Sequence, residues 1–244
     1  MKRSFAGKTD TGLVRAVNQD SYHIDPEGRF FIVADGMGGH AGGQEASKLA
    51  TQAIQLYFNK HWNDPLETPE LLHKAFLAAN QAILEDQQGH PERSDMGTTA
   101  VAAIFRDEGK PWCANIGDSR LYRLRGADFV QITEDQTWVA QAVKRNALTP
   151  EQAKVHPWRH VLSQCLGRED LGDIDIAPMD VQPGDRLLLC SDGLTEELSD
   201  ALIASPLKSI RACEMAATTL VDAAKEKGGR DNITVVIVAF DLLK

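Results

Sequence analysis

Three apolar stretches of this chain run straight into an aspartate followed by a small residue: Val33-Ala34-Asp35-Gly36, Ile116-Gly117-Asp118-Ser119 and Cys190-Ser191-Asp192-Gly193. Two more aspartates stand just before apolar runs, Asp20 after Asn18-Gln19 and Asp231 between Arg230 and Asn232. Asp and Asp-Gly make turns, which is explanation enough for any one of them. Their recurrence constrains more. If the strand ends meet at one edge of a layered fold, four or five carboxylates face one another there. Like charges that close repel strongly at low effective dielectric. Divalent cations remove the penalty, and oxygen ligands without a partnering His or Cys select Mg²⁺ or Mn²⁺ over zinc. Two such ions about 3.5–4 Å apart lower the pKa of a bridging water and supply a nucleophile at neutral pH.

The remaining pattern predicts the layers. The first half reads strand, strand, helix, helix. Residues 30–34 form a short apolar run, read as a buried strand that ends at Asp35-Gly36. Over 44–58, Ala46, Leu49, Ala50, Ala53, Ile54 and Tyr57 recur at helical spacing. Thr68 as N-cap and Pro69 at the first helical position open a second helix. Strands are expected over 98–105, 112–116, 119–124, 129–132 and 186–190. A helix is expected over 209–227, ended by Gly228-Gly229, and a closing strand over 233–240. Strands in blocks and helices in blocks predict an α+β layered fold rather than alternating βαβ units. Residues 136–172, with Pro150 and Pro157, break the pattern. They are too few to own a core, so they read as an excursion from a single domain over 1–244.

Six segments carry a resemblance: Arg15-Ala16-Val17-Asn18-Gln19-Asp20, Ala34-Asp35-Gly36-Met37-Gly38-Gly39-His40, Met96-Gly97-Thr98-Thr99, Gly117-Asp118-Ser119-Arg120, Ser191-Asp192-Gly193-Leu194 and Gly229-Arg230-Asp231-Asn232. In this order they resemble the successive motifs of the type 2C (PPM) metal-dependent protein phosphatases. The Asp-Gly-Met-Gly-Gly-His form is similar to the bacterial branch. Residues 157–168 resemble cyanobacterial members, one of which acts on the phosphorylated PII signal protein. The resemblance implies a four-layer α-β-β-α sandwich, a central antiparallel β-sandwich flanked by helices, with a flap at 136–172. It implies hydrolysis of phosphoserine and phosphothreonine in proteins by in-line attack of a metal-bridging water, without a phosphoenzyme. Positioning and charge neutralisation carry most of such a reaction.

By the same resemblance Asp35 bridges two metals and the Gly36 carbonyl adds a ligand. Asp192 and Asp231 complete the first metal's shell, Asp20 holds the second through its waters, and Asp118, with Asp192, holds a weaker third. Arg15 is implied to grip the phosphate, since a guanidinium offers a planar fork that matches two phosphate oxygens. One departure concerns the leaving oxygen's proton. Many eukaryotic relatives carry His directly after Asp-Gly, and this chain has Met37 there. His40, three residues on, or a metal-bound water is left for the role. His160 is expected to touch substrate from the flap. His156 and His160 have the spacing of a metal pair on a helix, but Pro157 between them argues against one helix covering both. His23, His61, His73 and His90 show no ligand spacing.

Composition narrows the partners. A formal net charge of -9 argues against general nucleic-acid or membrane-surface binding. No apolar signal core follows Lys2-Arg3, and no run reaches the roughly 18–20 apolar residues of a membrane span. Cys113, Cys165, Cys190 and Cys213 are scattered without a CxxC pair, as buried reduced thiols of a cytoplasmic protein would be. The glycines at 38–39 and 42–43 lack a following Lys-Ser/Thr, so close backbone packing explains them better than nucleotide binding. A monomeric enzyme is expected, acting on phosphorylated proteins with PII among the candidates. Two rivals stay open. A metal-dependent phosphodiesterase or nuclease could use a similar cage, though basic and aromatic residues are not interleaved. A catalytically dead relative would bind phosphoproteins but lack a ligand Asp, and every motif Asp is present.

Overall fold

Alternation along the strands decides the layers. The computed structural model describes residues 2–39, 42–106 and 110–241. Chain order begins with β1 (Arg3–Asp10), β2 (Asp20–Ile24), β3 (Phe30–Met37), α1 (Gly42–His61) and α2 (Thr68–Gly89). Short strands follow: β4 (Gly97–Thr98), β5 (Ala100–Ile104), β6 (Trp112–Ile116), β7 (Arg120–Arg125) and β8 (Asp128–Gln131). After α3 (Trp138–Lys144) and α4 (Pro150–Lys154) come β9 (Asp175–Pro178), β10 (Arg186–Cys190), α5 (Asp192–Thr195), α6 (Asp200–Ser209), α7 (Cys213–Lys227) and β11 (Ile233–Phe240).

One antiparallel sheet runs β1-β11-β10-β7-β8 and the other β2-β3-β5-β6-β9, with β4 on β3. In β3, Phe30 and Ile32 pack toward α1 and α2, while Phe31 and Val33 pack toward the opposite sheet. In β11, Ile233, Val235 and Ile237 meet α6 and α7, while Val236, Val238 and Phe240 enter the space between the sheets. Side chains of a strand point to opposite faces. Both faces are covered, so these strands read as continuous apolar runs. Each such side chain taken from water contributes about 1.5–3 kcal/mol. The result is the α-β-β-α sandwich that the motifs imply.

Several boundaries differ from the sequence reading. Strand β3 does not stop at Asp35-Gly36 but continues to Met37, because Gly36 and Met37 pair with Thr98 and Gly97. The stretch 98–105 is broken at Thr99 into β4 and β5. Helix α2 has Glu67 at its N-cap, so Thr68 is already helical. The last long helix starts at Cys213 rather than 209, because residues up to Ser209 belong to α6 and Ile210 is extended. It ends as expected at Gly228 and Gly229, both at positive φ (153° and 53°), where L side chains are disfavoured. Strands β1 and β9 and helix α6 escaped the sequence reading. In the excursion, Thr137 Oγ1 caps α3 by accepting from Ala140 N at 3.2 Å, and Thr149 with Gln152 forms a capping box on α4. No helix covers both His156 and His160. All four cysteines are free and buried. Among the described residues no helix is long and apolar enough to cross a membrane.

The β2–β3 turn is tied by one side chain. Asp25, 2% exposed, accepts from Arg29 Nη2 at 2.6 Å, from Arg29 Nε at 3.0 Å and from the backbone N–H groups of Glu27 and Arg29. Burial raises its pKa, but the Arg29 bonds outweigh burial and hold it below the usual value. A depressed carboxylate contributes stability that is present above the unfolded value, near 3.9, and lost as pH falls through the folded one. Asp25→Asn is expected to destabilise by about 2–3 kcal/mol at pH 7. Urea midpoints would show this difference from wild type shrinking below about pH 4.

Candidate active site

The five motif aspartates come from both sheets and meet at one end of the sandwich. Asp20 opens β2 and is the register partner of Asp35 in β3. Asp118 lies in the β6–β7 turn, Asp192 opens α5 just past β10, and Asp231 stands two residues before β11. Asp35 lies within hydrogen-bonding reach of both Asp20 and Asp192, and it feels the charge of Asp118. Arg15 Nη2 donates to Asp231 Oδ2 at 2.6 Å, with the Arg15 side chain about half exposed. Its guanidinium also feels Asp35 and Asp192, so it stands beside the cage.

Small polar residues that lie within the motifs hold this arrangement. Asp35 N donates to Thr99 Oγ1 at 3.0 Å, while Thr99 N and Thr98 Oγ1 donate to Asp35 O at 2.9 and 2.8 Å. Thr99 and Ser119 hydroxyls meet at 2.6 Å, which ties β3 to the Asp118 turn. Ser191 Oγ donates to Asp20 Oδ2 at 2.7 Å and accepts from Thr234 N at 3.0 Å, joining the two sheets. Gly36 donates its N–H to Gln19 O at 3.1 Å. A Cβ on Gly36 would lie 1.8 Å from the Gly43 carbonyl oxygen, so only glycine lets the start of α1 approach here.

The electrostatics are those of crowded, poorly hydrated acids. Burial, opposed by bonds from Thr234 and Ser191 and reinforced by Asp192, pushes Asp20 up to about 7. Burial together with the charges of Asp20, Asp192 and Asp118 raises Asp35 well above the carboxylate range. Burial and Asp192 do the same for Asp118, and burial and Asp231 raise Asp192. Asp20 Oδ1 and Asp192 Oδ1 are buried without a hydrogen-bond partner. Orphaned, mutually repelling oxygens with no nitrogen or sulfur donor among the five aspartates fit hard divalent cations.

A cleft of about 1080 Å³ leads away from the cage, lined by Asp118, Asp192, Arg159, His160, Glu196 and Arg230 among others. His160 reaches it from the excursion, and its Nδ1 lies 2.5 Å from Glu196 Oε1. His160, Asp192 and Glu196 offer ligand atoms within 4.8 Å of one another. Burial and the charge of Asp192 push Glu196 up to about 7, while burial and Arg159 lower His160. Glu196 was not singled out from the sequence, and no motif or spacing signals it. Thr98, Thr99, Ser191 and Asn232 were quoted within motifs, but their part in holding the aspartates was not legible there. His40 lies outside the described residues.

The family model described as Protein phosphatase 2C matches residues 14–227. The chain belongs to the protein phosphatase 2C family. The relatives it resembles are bacterial serine/threonine phosphatases. Its similarity to the serine/threonine protein phosphatase PstP of Mycobacterium tuberculosis is 38% identity over 236 residues, 96% of this chain but 44% of PstP. The chain thus spans a little under half of that relative's length. The serine/threonine phosphatase stp of Listeria monocytogenes is 34% identical over 244 residues, covering 96% of this chain and 95% of stp. Among solved structures, M. tuberculosis PstP superposes with a TM-score of 0.89 at 36% identity, over 98% of this chain and 99% of that one. The PstP catalytic domain in complex with two manganese ions superposes with a TM-score of 0.84 at 36% identity, over 97% of each. A phosphatase 2C architecture therefore accounts for both sheets and both helical layers.

Proposed function

We propose that this phosphatase 2C chain hydrolyses phosphoserine and phosphothreonine in proteins, using Mg²⁺ or Mn²⁺ held at the cage. The observation that carries the reading is the pair of orphaned oxygens, Asp20 Oδ1 and Asp192 Oδ1, around an Asp35 that burial and three neighbouring carboxylates keep from ionising easily. The manganese-bound relative supports metal dependence. In this reading Asp35 would serve two ions with the Gly36 carbonyl as a further ligand, Asp192 and Asp231 would complete the shell of the first, and Asp20 would hold the second through its waters. Asp118 with Asp192 takes a weaker third. Such ions neutralise the carboxylates and make water acidic enough to react at neutral pH.

The chain's own groups do the rest. Arg15 exchanges its Asp231 partner for two phosphate oxygens and sets the phosphorus in line over the cage. Asp20, fixed by Ser191, keeps its free oxygen directed at the site. His160, braced by Glu196, contacts the substrate from the flap formed by residues 136–172 of a single domain. His40 is the candidate to protonate the leaving serine or threonine oxygen. Free, buried thiols favour a reducing, cytoplasmic setting. We further infer a monomer acting in signalling, with a phosphorylated PII-type protein as first substrate to try, on the likeness of residues 157–168 to cyanobacterial members.

The test is phosphate release from a phosphothreonine peptide with Mn²⁺, with Mg²⁺ and with chelator, beside a phosphodiester and phosphorylated PII. Metal-dependent turnover of the peptide and none of the diester is expected. Release that persists in chelator, or from the diester alone, would overturn the reading. Turnover of the peptide but not of PII would remove PII while leaving the activity.

A further inference from the structure

The loop that carries Arg15, residues 11–19, joins β1 to β2 and contains neither helix nor strand. Three of its backbone groups end on one side chain. Asn232 Nδ2 donates to Thr11 O at 2.9 Å and to Val17 O at 3.0 Å, and Asn232 Oδ1 accepts from Gln19 N at 2.7 Å. Asn232 is 3% exposed, so the Asn232 end of all three bonds is buried. Both carboxamide hydrogens and its oxygen are used, and no other side chain of this size offers two donors and an acceptor in that plane. Between these feet Val14 is 69% exposed, Gly12 N donates to Asp10 Oδ1 at 2.9 Å, and the Arg15 side chain reaches inward to Asp231. Leu13 N adds a tie to Gly229 O at 2.7 Å, and Asn18 Nδ2 one to Thr9 Oγ1 at 2.8 Å. Neither spans the crown as Asn232 does from Thr11 to Val17.

We propose that Asn232 is a positioning residue for phosphate binding, which sets where Arg15 stands over the aspartate cage by clamping both feet of its loop. This rests on the reading of Arg15 as the phosphate grip. Asn232 does not touch the substrate. It follows Asp231, to whose Oδ1 it donates its own N–H at 2.8 Å, so a rival role through metal binding must be separated from it.

The test compares wild type, Arg15→Ala, Asn232→Ala and the double variant. The readouts are kcat and KM for a phosphothreonine peptide, inhibition by inorganic phosphate, and Mn²⁺ affinity by calorimetry. Arg15→Ala is expected to raise KM and the phosphate inhibition constant, and Asn232→Ala to raise both by roughly 10- to 100-fold, the penalty of a misplaced group. Mn²⁺ affinity should stay within about twofold, and the double variant should be no worse than Arg15→Ala, as residues acting through one group are non-additive. Multiplying effects, or a loss of Mn²⁺ affinity with KM unchanged, would overturn the Asn232 proposal alone. An Arg15→Ala variant with unaltered KM and phosphate inhibition would instead remove the Arg15 reading beneath it. If Asn232→Ala fails to fold by circular dichroism, Asn232→Ser, which keeps a donor and an acceptor, carries the same comparison.

Discussion

Asp192→Ala is expected to lower metal-dependent phosphate release from a phosphothreonine peptide by roughly 10³-fold, since ions at such a site supply several kcal/mol and each 1.36 kcal/mol is tenfold. Asp192 joins the two halves of the cage. It lies within hydrogen-bonding reach of Asp35, its charge is felt by Asp20 and Asp118, and its Oδ1 has no partner. Ser191 beside it is already committed to Asp20 and Thr234. The fold should survive, as the side chain bears on the cage and not on the apolar layers. The measurement is initial rate at saturating Mn²⁺ with circular dichroism as control. A folded variant that retains the wild-type rate would mean that the cage is wrongly assigned.

The second large effect concerns stability and has opposite signs with and without metal. In chelator, Asp35→Asn is expected to raise the melting temperature, while the stabilisation that Mn²⁺ confers on wild type should vanish in the variant. Burial and three like charges raise the Asp35 carboxyl, so the wild-type cage opposes folding once its acids ionise. An amide removes that repulsion. Relief of about 1–2 kcal/mol is the usual scale for exchanging function against stability, which is some 2–8 °C in a chain of this size. The pH dependence follows the same sign. A carboxyl whose folded pKa is raised contributes stability below its unfolded value, near 3.9, that is lost as pH rises through the folded value. For Asp20 that upper value is about 7. In chelator, wild-type melting temperature should therefore fall as pH rises toward 7 and above. In excess Mn²⁺ the slope should reverse, because cations bind only deprotonated carboxylates. Thermal scans over pH 5–8 with and without metal decide it, and a lower melting temperature for Asp35→Asn in chelator would refute the argument.

Local signals located much of the fold. The bounds of β11 were readable to the residue, because both faces of that strand are buried and every position except Thr234 is apolar. The helical stripe of α1 was readable over 44–58, with the ends extending to Gly42 and His61. What failed were elements whose conformation comes from a neighbour. Strand β1 is mixed in character, and it is a strand because each residue from Arg3 to Asp10 pairs with β11. Strand β9 is four residues with one half-buried, held by β6. The break at Thr99 exists because that residue turns its N–H and hydroxyl to the backbone of Asp35.

The same division holds at the site. Amino-acid order alone offered the candidate ligands, five aspartates at the edges of apolar runs, and hence the expectation of hard cations, because ligand chemistry belongs to the side chain wherever it sits. Only the tertiary structure decided that Asp20 faces Asp35 across two strands, that Ser191 of one sheet holds Asp20 of the other, and that His160 rests on Glu196. Those contacts join residues far apart in the chain, with no fixed spacing to betray them. They are set by which strands pair and which layers pack, and that is decided by burial of the whole chain at once.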